Sequence, residues 1–185
     1  MKLYALCDQE MLDIKNISLL EYIEIAKQNS AEIVQYRNKN ADIAFIKDAL
    51  IKIRKNYDGF LIVNDKYELV EFCDGVHLGQ EDLEHIDKDV VKATRIVRDV
   101  IGGDKLLGIS THNKAEVLQA NSMDLNYIGL GAYRKTNTKS VSNILGDTID
   151  DIASNSIHPV GVIGGVTKKD KFTHITYHVI GSGLL

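Results

Sequence analysis

The chain has 185 residues, 44% hydrophobic and 26% charged. One compact domain with a full core is therefore expected across residues 1–185, and disordered, collagen-like and low-complexity classes are excluded. Its 22 Lys and Arg against 26 Asp and Glu leave a net charge of −4 without a long basic run, which argues against a nucleic-acid partner and leaves small anionic ligands open.

From the N-terminus, Met1-Lys2 leads directly into the strand-like Leu3 to Cys7 with no signal-peptide pattern, and no stretch approaches the ~18 apolar residues of a membrane span. A cytoplasmic location without membrane contact is expected. Ser18-Leu19-Leu20-Glu21 reads as a capping box opening a helix through Gln28. A second strand follows at Glu32 to Tyr36. The next helix puts Ile43, Ile46, Leu50 and Ile53 on one face, with Asn40 as its expected N-cap. Further strands are expected at Phe60 to Val63, Gly75 to Leu78, Leu106 to Ile109, Tyr127 to Leu130, Val160 to Ile163 and His178 to Ile180. Asn113 and Glu116 open a helix through about Ala120, whereas Tyr67 to Phe72 and Lys168 to Phe172 suit one-turn helices or loops. Cys7 and Cys73 are far apart and outside any CxxC pair, so both read as buried small hydrophobes.

Short apolar runs alternating with helical segments indicate βα units and a parallel sheet, closed as a (βα)₈ TIM barrel or open and doubly wound. Polar clusters follow nearly every run: Gln35 to Lys39, Asn64-Asp65, His77 to Asp82, Ser110 to His112, Thr136 to Lys139, Gly164-Gly165 and Gly181 to Gly183. In a closed barrel these strand ends share one mouth, which favours the barrel. Eight units in this length average roughly 23 residues against the ~31 of a typical barrel, so a compact barrel with shortened crossovers and no final helix is expected.

Asp65 and Asp82 lie after neighbouring strands and can supply the one or two carboxylates that Mg²⁺ takes beside phosphate oxygens. Arg37, Lys39 and Lys139 are the cations near them. Thr136 and Thr138 offer hydroxyls to phosphate, and Gly165 offers a bare amide. His77 and His112 sit at strand ends; His77 suits a structural hydrogen bond, and His112 suits such a bond or an acid/base role equally. No P-loop, complete dinucleotide fingerprint or nucleophile elbow occurs.

With these landmarks in order, the chain resembles the thiamine phosphate synthase/TenI superfamily. The motifs are Gln35-Tyr36-Arg37-Asn38-Lys39, Asn64-Asp65, Asp74 to Asp82, Gly108 to His112, Tyr127 to Gly131, Thr136-Asn137-Thr138-Lys139 and Ile163 to Thr167. The resemblance implies a transferase that joins 4-amino-5-hydroxymethyl-2-methylpyrimidine diphosphate to thiazole phosphate in a dissociative, Mg²⁺-dependent reaction, giving thiamine phosphate and pyrophosphate. It implies that Gln35, Arg37, Lys39, Asn64 and Lys139 contact the diphosphate or pyrimidine, that Ser110 lies beside the pyrimidine, and that Arg37, Lys39, Lys139 and Ser110 form the catalytic set. Asp65 and Asp82 would hold Mg²⁺. Thr136, Thr138, Gly165 and either Gly181 or Ser182 would bind the thiazole phosphate. The alternatives are a TenI-like thiazole tautomerase using His112, or a non-catalytic thiamine-precursor sensor; a homo-oligomer is compatible with each.

Overall fold

The structure, a computed structural model, describes residues 2–135 and 143–185. Eight parallel strands close into a barrel in chain order: β1 (Lys2–Asp8), β2 (Ala31–Arg37), β3 (Phe60–Asn64), β4 (Gly75–Leu78), β5 (Leu106–Thr111), β6 (Tyr127–Leu130), β7 (Val160–Val162) and β8 (Tyr177–Ile180). Closure comes from the pairing of β1 with β8, in which Leu3 lies beside His178 and Ala5 beside Ile180. The expected strands are all present, each extended or trimmed by a residue or two where it differs.

Among the described residues, seven α-helices cover the outside: α1 (Gln9–Lys15), α2 (Leu19–Gln28), α3 (Ile43–Arg54), α4 (Gln80–Ile86), α5 (Val90–Ile101), α6 (Lys114–Ala120) and α7 (Ile149–Ala153). The Ser18 capping box is formed: Glu21 N–H donates to Ser18 Oγ and Ser18 N–H to Glu21 Oε2. Asn113 likewise caps α6, accepting from Glu116 N–H.

Asn40 does not cap α3. Asp42 does, accepting from Phe45 N–H at 2.8 Å. Asn38 accepts the Asn40 and Ala41 amides instead, so a turn displaces the start of the helix by two residues. Ile46, Leu50 and Ile53 are buried as expected, whereas Ile43, at the first position of α3, is 41% exposed. Between β3 and β4, residues Tyr67–Phe72 form a 3₁₀ turn, and Lys168 to Phe172 form no helix.

Helix α5 was not anticipated. Its first amides are capped by the Asp89 carboxylate, and Ala93, Val97 and Ile101 face the barrel. From its last turn, Arg98 donates to the carbonyls of Gly102, Lys105 and Asp124. One guanidinium fork thus satisfies three orphan acceptors where the chain enters β5 and β6. No helix among the described residues is long and apolar enough to cross a membrane. Cys7 and Cys73 are free and buried, and burial pushes both thiols up.

Strand alternation divides the core in two. Residues such as Ala5, Val34, Leu61, Val76, Leu107 and Ile128 face the helices, while Tyr4, Ile33, Ile62, Tyr127 and Val179 pack together inside the barrel. Room for the tyrosines comes from missing side chains. A Cβ on Gly108 would sit 2.1 Å from Tyr127 Cζ, so the Tyr127 ring occupies the volume that any larger residue at 108 would need. Gly108→Ala is therefore expected to cost about 1–3 kcal/mol through overpacking, read as a lower urea midpoint with unchanged slope. An unchanged midpoint would show that the ring can leave this position freely.

Candidate active site

The C-terminal ends of the strands meet at one mouth, where parity decides which side chains point inward. On β2 that parity selects Gln35 and Arg37, and on the next strands Asn64, His77 and Ser110. Gln35 is buried; its Nε2 donates to Asn64 Oδ1 at 2.6 Å, and its Oε1 accepts from the Tyr4 hydroxyl at 2.7 Å. Ser110 Oγ lies 3.0 Å from His77 Nε2, and the Ser110 carbonyl accepts from Gln80 Nε2 at 2.5 Å. His77 Nδ1 lies 3.1 Å from the Tyr127 hydroxyl. Burial pushes the imidazole down to about 4, so the ring is neutral at physiological pH.

Beside Asn64, Asp65 takes a left-handed backbone with φ of 64°, held by its amide donating to the His77 carbonyl at 2.9 Å. Its carboxyl is pushed up to about 6 by burial and by the facing Asp82 carboxylate, while Lys39 and Arg37 pull it the other way. Asp82, in the first turn of α4, accepts from Gly79 N–H at 3.1 Å. The two expected carboxylates are thus together, with Arg37 and Lys39 close enough to act on Asp65. Among the described residues no group of three or more His, Cys, Asp or Glu could hold a metal. Two facing carboxylates nevertheless fit Mg²⁺, whose other ligands are ordinarily phosphate oxygens and water; repulsion between them is what a divalent cation relieves.

Arg37 is ion-paired with Asp8, a buried residue at the end of β1 that also caps α1 by accepting from Met11 N–H. Asp8, Tyr4 and Tyr127 were not among the expected site residues. Strand parity is the signal for the tyrosines: each is an even number of residues from an inward position of its own strand. The Asp8 pairing carries no local signal, because its partner is 29 residues away.

His112 is placed apart from the Ser110–His77 pair. Its Nδ1 lies 3.0 Å from Glu116 Oε2, and its amide donates to the same oxygen. Thr136, Thr138 and Lys139 lie outside the described residues. Gly164 and Gly165 follow β7 with φ of 93° and 64°, a turn suited to glycine. It is braced by Arg134, which donates to the Gly165 carbonyl at 3.0 Å and to both oxygens of Asp170 at 2.9 and 2.6 Å. Asp170 also accepts from Thr167 N–H and Oγ1. Gly181 and Ser182 follow β8 at the same end, where Ser182 begins a 3₁₀ turn.

The family model described as thiamine monophosphate synthase matches residues 3–180. A thiamine-phosphate synthase from Persephonella marina is 32% identical over 176 residues, covering 92% of this chain and 79% of the relative. One from Clostridioides difficile is 33% identical over 172 residues, covering 90% and 77%. Among solved structures, a thiamine phosphate pyrophosphorylase from Pyrococcus furiosus superposes with a TM-score of 0.76 at 23% identity, covering 98% of this chain and 87% of that one.

The Arg134 brace makes a pH-dependent contribution. The Arg134 guanidinium and the Thr167 donors hold the Asp170 carboxyl well below its ordinary value of 3.8. A depressed folded-state value stabilises the fold above the unfolded value and loses that stabilisation as pH falls toward the depressed one. The stability difference between the parent and Asp170→Asn should therefore be full near neutrality and shrink below about pH 4. A difference that is constant from pH 7 to pH 2 in thermal melts would rule out the ionised pair as its source.

Proposed function

The chain belongs to the thiamine monophosphate synthase family, and from that premise we propose that it couples 4-amino-5-hydroxymethyl-2-methylpyrimidine diphosphate to thiazole phosphate, releasing pyrophosphate. The observation that carries this reading is the Asp65–Asp82 carboxylate pair facing Arg37 and Lys39 beside the Asn64–Gln35 and Ser110–His77 hydrogen bonds. A tautomerase has no need of paired carboxylates among cations; a diphosphate-leaving reaction does.

In this reading the barrel mouth separates two tasks. Gln35, Asn64 and Ser110 bind and orient the pyrimidine within the barrel. Arg37 and Lys39, joined by Lys139, bind the diphosphate at the rim, where their positive charge stabilises the anion as the carbon–oxygen bond breaks. Asp8 fixes the Arg37 guanidinium so that little reorganisation accompanies that charge development. Asp65 and Asp82 would hold Mg²⁺, which when bound supplies further charge neutralisation to the diphosphate. Departure of the diphosphate leaves a pyrimidine cation that the thiazole nitrogen captures, so the protein needs no nucleophile. Thr136, Thr138, Gly165 and Gly181 or Ser182 hold the thiazole phosphate, with the Arg134–Asp170 pair keeping the glycine turn in shape.

Purified protein given both substrates and Mg²⁺ should release pyrophosphate and form thiamine phosphate, with EDTA abolishing release and added Mg²⁺ restoring it. Lys39→Ala and Asp65→Ala should each lower kcat by about 10²-fold or more, the scale for loss of one stabiliser of developing charge. No release above background overturns the assignment. Thiazole isomerisation that survives EDTA and is lost in His112→Ala would move the chain to the tautomerases, and ligand binding without either reaction would make it a sensor.

A further inference from the structure

Six side chains from β1 to β6 form one hydrogen-bonded chain across the barrel, and its direction follows from one end. The Tyr4 hydroxyl donates to Gln35 Oε1 at 2.7 Å, because an amide oxygen can only accept. With that proton committed, the Tyr4 oxygen accepts across the 2.9 Å contact with Tyr127, so Tyr127 is the donor. The Tyr127 oxygen then accepts from His77 Nδ1 at 3.1 Å. A neutral imidazole carrying its proton on Nδ1 has an acceptor at Nε2, and Ser110 Oγ is 3.0 Å from it. Ser110 therefore gives its proton inward and keeps lone pairs for the mouth. At the other end Asn64 accepts through Oδ1 and retains its N–H groups as donors.

We propose that Tyr4, Tyr127 and His77 are positioning residues that set the polarity of the site, holding Ser110 as an acceptor and so selecting a substrate ring that carries an amino donor over one that carries an oxo group there. The selectivity rests on the synthase reading; the polarity does not. A carbonyl facing Ser110 would place two acceptors together, unless the whole buried chain reversed. Such an unpaired polar contact lowers affinity by about ten- to a hundredfold.

The polarity can be read without turnover. Long-range ¹H–¹⁵N NMR of the full chain with ¹⁵N-labelled histidine, His77 being assigned by its loss in His77→Gln, should show the Nδ1–H tautomer. The Nε2–H tautomer would mean a chain running the other way, with Ser110 as donor, and overturns the proposal. Tyr4→Phe, nearly isosteric, should leave the fold intact, mix the two tautomers and lower kcat about tenfold or more, with discrimination between the aminopyrimidine diphosphate and its oxo analogue reduced. Tyr127→Phe should act in the same direction. An unchanged tautomer together with unchanged discrimination in both variants overturns the role of the tyrosines. The Nδ1–H tautomer in a protein that releases no pyrophosphate would refute the synthase reading and leave the polarity standing, whereas the Nε2–H tautomer in an active synthase does the reverse.

Discussion

Closure of the sheet through β1 and β8 is the constraint from which the rest follows, because it removes both sheet edges and brings eight strand ends to one rim. An open sheet of the same strands would bury its central faces equally well, yet it would separate Asp8 on β1 from residues after β7 and β8. Closure also requires an interior that side chains can fill. Here the filling is uneven: two tyrosines reach into the centre, and Gly108 on β5 yields its side-chain volume to one of them.

Placing hydroxyls, two carboxamides and an imidazole inside a small barrel carries a desolvation cost of a few kcal/mol for each unpaired group. That cost is offset by pairing every one of them with another strand's side chain. Tyr4, Gln35, Asn64, His77, Ser110 and Tyr127 are each hydrogen-bonded to a neighbour. A satisfied network of this kind is rigid, since moving one member strands another. The floor of the site is therefore set by strand register, while its rim is set by charge.

At the rim, like and unlike charges are packed close enough to act on one another. Asp65 stands against Asp82 in a half-buried position, and Arg37 and Lys39 balance part of that repulsion. Asp8 fixes Arg37 from the first strand, and Asp170 fixes Arg134 from the stretch between β7 and β8. The first pair closes the last register position of β1 against β2, and the second ties the loop after β6 to the stretch after β7, so tertiary contacts hold the mouth.

The alternation of apolar runs with capped helical segments was enough to specify eight strands, their order and the position of most polar clusters. Ser18 with Glu21 and Asn113 with Glu116 were legible because capping is a contact over three residues. Helix α5 was missed although its apolar face is regular, and the start of α3 was displaced because Asn38 organises a turn that local propensity does not reveal. The carboxylates Asp65 and Asp82 were found from sequence as members of clusters, but their mutual approach depends on the register of β3 against β4. The Asp8–Arg37 pair, the Arg134 brace and the tyrosine chain through His77 were decided by tertiary structure alone. Each joins groups on different strands or loops, and nothing in the residues between them records the distance that closing the barrel imposes.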